Sequence, residues 1–181
     1  MEPADLQSRA LFPALLGAAF HRLAPPVQEL HRGSAGTWYG TATVTRGTGW
    51  RAALACAVAR LPPSMRDAPL RFELRIARDR EIWTRWFGDS PPMRSSLRVD
   101  QVHLAEHLGP AHIRFALREV QGAMNWEATG LRLLGIALPR GAFDLRARIS
   151  TLAGQYHFAI DASITGIGSL IRYEGTLRPG A

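Results

Sequence analysis

The sequence contains no lysine: all 22 of its positive side chains are arginine. These arginines never form a run of three, and the formal charge of +7 is spread over the whole chain. That excludes the clustered basic arm of a nucleic-acid binder and points instead to dispersed, solvated charge on the outside of the fold. The single cysteine, Cys56, can make no internal disulfide, so a reduced compartment fits best. No long apolar run is present near the start. The stretch from Ala10 to Phe20 falls far short of the roughly 20 residues a bilayer span requires. The first residues, Met1-Glu2-Pro3-Ala4-Asp5, carry acid where a secretory leader carries base. A cytoplasmic protein with no transmembrane segment is the expectation. Internal repeats, low-complexity tracts and linkers are also missing. We therefore expect one domain over residues 1–181, with a helical lead-in over 8–33, mainly β structure from 37 and a helix over 50–60. A chain of this length buries roughly 70% of its unfolded surface and needs no staple.

Apolar spacing shows the elements. Leu15, Leu16, Ala19, Phe20 and Leu23 recur at helical intervals after Pro13, and Pro25-Pro26 starts a second short helix through Val27 and Leu30. Between Thr37 and Arg46, Trp38, Ala42 and Val44 share one face and Tyr39, Thr41, Thr43 and Thr45 the other, as in a half-buried strand. Trp50, Leu54, Ala57, Val58 and Leu61 form the stripe of another helix, stopped by Pro62-Pro63. From residue 70 the period becomes two: Leu70, Phe72, Leu74 and Ile76 alternate with Arg71, Glu73 and Arg75. The pattern returns at 81–88, 93–100, 102–108, 111–120, 123–128, 143–150, 155–162 and 168–177. Residues 130–141 read as a loop or short helical turn. Closely spaced strands without helical crossovers define an antiparallel meander. The expected fold class is α+β: N-terminal helices packed on a curved antiparallel β-meander, open or partly closed into a barrel.

Three motifs invite chemistry. Gly47-x-Gly49-x-x-Ala52, with Asp67 downstream, imitates a dinucleotide-binding turn. The strand before it alternates with threonine, where a central parallel strand is apolar on both faces. A glycine turn leading into a helix explains it, and no nicotinamide or other cofactor is expected. His103-x-x-Glu106-His107 imitates a zinc motif. Val102, Leu104, Glu106 and Leu108 suggest a strand, on which the two histidines stand about 13 Å apart at roughly 3.3 Å per residue, too far for one metal. No Gly-x-Ser-x-Gly elbow is present, and Cys56 sits in an alanine-rich helix interior, so no catalytic residues are assigned. The richest segment is Ile82-Trp83-Thr84-Arg85-Trp86-Phe87. Trp83, Arg85 and Phe87 share a face and Trp86 takes the other, so at most one of the two tryptophans can face a pocket.

The landmarks in order resemble a known family. They run through Leu16-Gly17-Ala18-Ala19-Phe20, Pro25-Pro26-Val27, Leu30-His31, Arg46-Gly47 and Leu61-Pro62-Pro63. They continue with Trp83-Thr84-Arg85-Trp86-Phe87-Gly88, Gly109-Pro110, Trp126, Gly135-Ile136-Ala137-Leu138-Pro139 and the block Gly166 to Leu177. Together they resemble an uncharacterised bacterial family, domain of unknown function 4166. This chain reads Ile164-Thr165 where the family often has a proline before the last glycine block. The resemblance implies no activity and no catalytic residues. Some members look like accessory domains attached to dehydrogenase-like modules, which implies association with such a protein.

The reading that follows is non-catalytic binding of a small apolar molecule or acyl chain in a cavity between sheet and helices, accessory to an oxidoreductase. The candidate lining residues are Arg46, Trp83, Arg85, Trp86, Trp126 and Tyr173. Such a cavity should enclose roughly 300 Å³ or more. A protein-interaction domain without ligand is the second reading, and an enzyme acting inside the cavity the third.

Overall fold

The computed structural model describes residues 10–180; the first two residues of the expected helical lead-in, 8 and 9, and the acidic start lie outside them. The helical lead-in comprises α1 (Leu11–Leu16), a 3-10 turn over Gly17–Arg22 and α2 (Pro25–His31). Pro25 opens α2, where its missing N–H and fixed φ suit a first turn. Strand β1 (Gly36–Arg46) and helix α3 (Trp50–Val58) follow. Ten further strands complete the chain: β2 (Met65–Ala77), β3 (Arg80–Phe87), β4 (Met93–Asp100), β5 (His103–Leu108), β6 (Ala111–Val120), β7 (Ala123–Leu133), β8 (Ile136–Leu138), β9 (Phe143–Leu152), β10 (Gln155–Ile164) and β11 (Gly168–Pro179).

All pairings are antiparallel, and the sheet closes. Strand β1 pairs with both β2 and β11, and β6 pairs with β7. The circuit β1-β2-β3-β4-β5-β6-β7-β9-β10-β11 is a ten-stranded barrel, with β8 an extra strand on the far half of β7. This corrects the open or partly closed sheet of the sequence reading. Closure removes every strand edge that an open meander would leave unpaired. Residues 130–141 are also corrected: they continue β7 to Leu133 and then form β8.

The period of two decides which side chains fill the barrel. Leu70, Phe72 and Leu74 of β2, Trp83 and Phe87 of β3, Leu97 of β4, Ile113 and Phe115 of β6, and Tyr156 and Phe158 of β10 are buried in one continuous core. Arginines take the outer face, where Arg71 and Arg75 pair with Glu73, Arg114 with Asp100, Arg146 with Asp144 and Arg172 with Asp161. Exposed pairs of this kind are each worth at most about 1 kcal/mol. They serve solubility more than stability.

The two ends of the barrel are closed differently. Helices α1 and α2 plug one end, with Phe12, Leu30 and His31 fully buried. The Ala24 amide donates to the Gly122 carbonyl in the β6–β7 turn, and Arg22 pairs with Glu119. Helix α3 lies across the other end against β1 and β11. The glycines before it have a structural task. A Cβ at Gly47 would stand 1.6 Å from the Ser169 carbonyl oxygen, and Gly49 holds φ +96° at the helix start. The expected stripe of α3 is reversed: Ala52 and Cys56 face the barrel with Leu170, while Trp50 and Leu54 are exposed. Small residues let the helix approach the strands closely, so the large ones are left outside. No helix among the described residues is long and apolar enough to cross a membrane.

Candidate ligand cavity

Inward positions near the middle of the barrel are aromatic. Trp83 of β3 and Trp126 of β7 face each other with ring centroids 5.9 Å apart, flanked by Phe72 at 5.2 Å from Trp83 and Phe115 at 5.5 Å from Trp126. From this layer to the underside of α3 runs a cavity of about 160 Å³. Its walls are almost wholly apolar, with Phe72, Phe87, Ile113, Leu131, Phe158 and Leu177 among them. Ala55 of α3, with Ala59 and Leu61 just beyond it, closes the far side.

Polar groups enter this space in a few places. Arg85 lies two residues along from Trp83, so strand alternation directs it inward, and Glu106 of β5 reaches the same space between Leu104 and Leu108. The Arg85 Nη2 and Glu106 Oε1 atoms are 3.6 Å apart, with both side chains about nine-tenths buried. The guanidinium also donates to Ser95 Oγ at 3.3 Å and lies 5.2 Å from the Trp83 ring. Two buried opposite charges offset each other, which is what permits either to be there. Tyr173, Tyr156 and Arg146 are the other polar residues of the lining. Burial pushes both phenols above their ordinary pKa, against the opposing pull of Arg85, so both remain donors at neutral pH. The buried Trp126 Nε1 has no hydrogen-bond partner among the described residues.

Two more titratable groups sit in the barrel without lining the cavity. His31 is enclosed by Phe12 at 4.1 Å, Trp83 at 5.7 Å and Tyr156 at 5.7 Å between ring centroids. Its Nε2 is 3.0 Å from the Tyr156 hydroxyl, and its Nδ1 has no partner among the described residues. Burial drives its pKa down to about 3, so the ring is neutral. Glu81 accepts from Trp83 Nε1 at 2.9 Å, and burial raises its carboxyl to about 7 despite that bond.

Of the six candidate residues, Trp83, Arg85, Trp126 and Tyr173 line the cavity together. Arg46 does not join them. Its guanidinium donates to the carbonyls of Leu61 and Pro62, the latter at 2.8 Å, and so anchors the chain leaving α3. Trp86 lies on the outer face, its ring 4.5 Å from the Arg71 guanidinium. Glu106 and Tyr156 were not among the candidates. Glu106 carried a readable signal as a charge alternating with Leu104 and Leu108. Residues His103 to Leu108 form a strand, with Glu106 facing inward and His107 outward. The Cys56 thiol donates to the Leu170 carbonyl, and burial raises its pKa. The lining combines a compensated charge pair and two protonated phenols with an otherwise apolar wall.

Fold and cavity define a closed antiparallel β-barrel with a plugged end and an apolar interior. The chain belongs to the family described as domain of unknown function DUF4166, whose model matches residues 23–177. No curated protein matches it. Among solved structures it is similar to a protein of unknown function from the DUF3598 family of Nostoc punctiforme PCC 73102, at 10% identity and a TM-score of 0.46. That match covers 80% of this chain and 47% of the other, so the chain spans about half that protein's length. It is also similar to Rv2717c from M. tuberculosis, at 14% identity and a TM-score of 0.45, covering 88% of this chain and 99% of that one.

Proposed function

We propose that the protein binds a compact apolar molecule carrying one hydrogen-bond acceptor, without catalysing its conversion. The observation that carries this reading is an apolar cavity walled by Trp126, whose buried Nε1 has no partner among the described residues. A buried donor without an acceptor costs about 1–3 kcal/mol, and a ligand carbonyl or similar group would recover it. The volume of about 160 Å³ falls short of the roughly 300 Å³ expected of this cavity from the sequence. It is close to the roughly 150 Å³ apolar cavity that holds benzene. A long acyl chain is therefore too large, and a substituted benzene ring or short acyl group is the right scale. Service beside an oxidoreductase rests on the family resemblance alone and would follow if that enzyme made or consumed the ligand.

Titration with acetophenone and with ethylbenzene, followed by NMR, tests the reading. Both should bind saturably, acetophenone more tightly by about fivefold to tenfold because only it can accept from Trp126 and Arg85. Trp126→Phe should weaken that preference, leaving the part that Arg85 supplies. Ala147 faces Trp126 across β9 and β7 and lines the cavity, so Ala147→Leu should abolish binding of both while the protein stays folded. Absence of saturable binding to either probe would sink the proposal.

A further inference from the structure

Helix α3 is apolar on the side that faces away from the protein. Trp50, Leu54 and Val58 recur at intervals of four and are 72%, 58% and 40% exposed. On an ordinary surface helix this stripe is polar. A second exposed apolar pair, Leu134 at 70% and Ile136 at 71%, stands on the β7–β8 turn.

A ring of contacts joins the two. The Leu134 amide donates to the Pro110 carbonyl, and a Cβ on Gly109 would lie 3.8 Å from the Ala59 carbonyl just beyond α3. On the other side Arg51 donates to the Gly166 carbonyl, and Thr165 donates to that of Gly141. The ring surrounds α3, whose inner face closes this end of the cavity. Its charge is of one sign. Residues 47–64 contain Arg51 and Arg60 and no acid, and residues 134–142 contain Arg140 and no acid. The nearby acids at this end are Asp89 in the β3–β4 turn, Asp67, and Asp144, which is paired with Arg146. The plugged end carries Asp79, Asp100 and Glu119, each paired with an arginine.

We infer that this rim docks on the surface of an anionic lipid bilayer, with Trp50, Leu54 and the β7–β8 turn entering the interface and Arg51, Arg60 and Arg140 meeting the head groups. A shallow apolar stripe with a tryptophan, flanked by arginines, is the chemistry of an interfacial helix. Docking there sets the α3-capped end of the cavity against the membrane, where apolar small molecules concentrate. The docking does not depend on the cavity binding anything.

Flotation of the purified protein with vesicles tests it, using phosphatidylcholine alone and phosphatidylcholine mixed with phosphatidylglycerol. Binding to the mixed vesicles at low salt is expected, with a blue shift in tryptophan emission that Trp50→Phe removes. High salt should weaken binding because exposed charges are screened. Leu54→Glu should reduce vesicle affinity by at least about tenfold without changing Tm, since Leu54 is largely exposed. Val102 is still more exposed, at 77%, at the plugged end, and Val102→Glu should leave binding unchanged. No binding to mixed vesicles, or equal loss with Leu54→Glu and Val102→Glu, would overturn the assignment. So would a dimer in light scattering that Leu54→Glu dissolves without any vesicle binding. The acetophenone titration is independent of all these outcomes.

Discussion

His31→Gln is expected to remove the protein's loss of stability in mild acid. In the folded state the ring is enclosed by Phe12, Trp83, Trp126 and Tyr156, and burial holds its pKa near 3 against an ordinary 6.5. The unfolded chain therefore binds one more proton than the folded one between those two values. Stability from this group is complete above pH 6.5 and is lost as pH falls toward 3, by about 5 kcal/mol at 1.36 kcal/mol per unit. That is comparable to the whole stability of a marginal domain.

Glu81 works in the opposite sense. Its folded pKa of about 7 lies above the ordinary 4.5, so the folded state holds the extra proton. Its contribution is greatest below pH 4.5 and is lost as pH rises to 7, by about 3 kcal/mol. Between pH 4.5 and 6.5 the two slopes cancel, and the protein should show a flat plateau in Tm with a steep fall below it. In His31→Gln the plateau should become a decline from pH 4.5 to 7 and the acid fall should flatten. In Glu81→Gln, which can still accept from Trp83, stability should instead climb from pH 4.5 to 6.5. Thermal unfolding across this range checks both signs. An acid fall unchanged in His31→Gln would show that another group causes it.

Much of this barrel was legible because inside and outside alternate along each strand. The bounds of β4, β6 and β10 follow from that rhythm within two residues, and so does the sidedness of Trp83, Arg85 and Phe87. Closure was not legible. It depends on β1 meeting β11 from the other end of the chain, with Ala42 opposite Gly175 and Val44 opposite Tyr173, and no local pattern encodes such a pairing. The stretch after Gly130 misled because Gly135, Pro139 and Gly141 are turn residues, yet Leu131 and Leu133 keep the inward face of β7. The stripe of α3 pointed the wrong way for a different reason. An apolar stripe marks a buried face only where nothing else wants it, and here alanines packed better against the strands. Inside the barrel, a charge at an inward strand position is the useful sign, and Arg85, Glu81 and Glu106 all stand at such positions. His31 gave no such sign, since its depth depends on how the plug enters the barrel.

The plug itself supplies the second large effect. Phe12 is fully buried and meets His31, Trp83 and Trp126 at ring distances of 4.1, 5.9 and 5.5 Å. Helix α1 has only six residues, too short to be stable alone, so its place is set by what Phe12 buries. Phe12→Ala should lower stability by about 3–5 kcal/mol through lost burial and the void that remains. The void adjoins the cavity, because Trp83 and Trp126 border both. The variant should therefore accept a bicyclic aromatic such as naphthalene, which the parent protein excludes, and saturating naphthalene should restore part of the lost Tm. A ligand that binds only the folded state at a hundred times its Kd adds about 2.7 kcal/mol, enough to see in thermal unfolding. If Phe12→Ala is destabilised and naphthalene restores nothing, the aromatic layer separates plug from cavity and the two do not form one binding space.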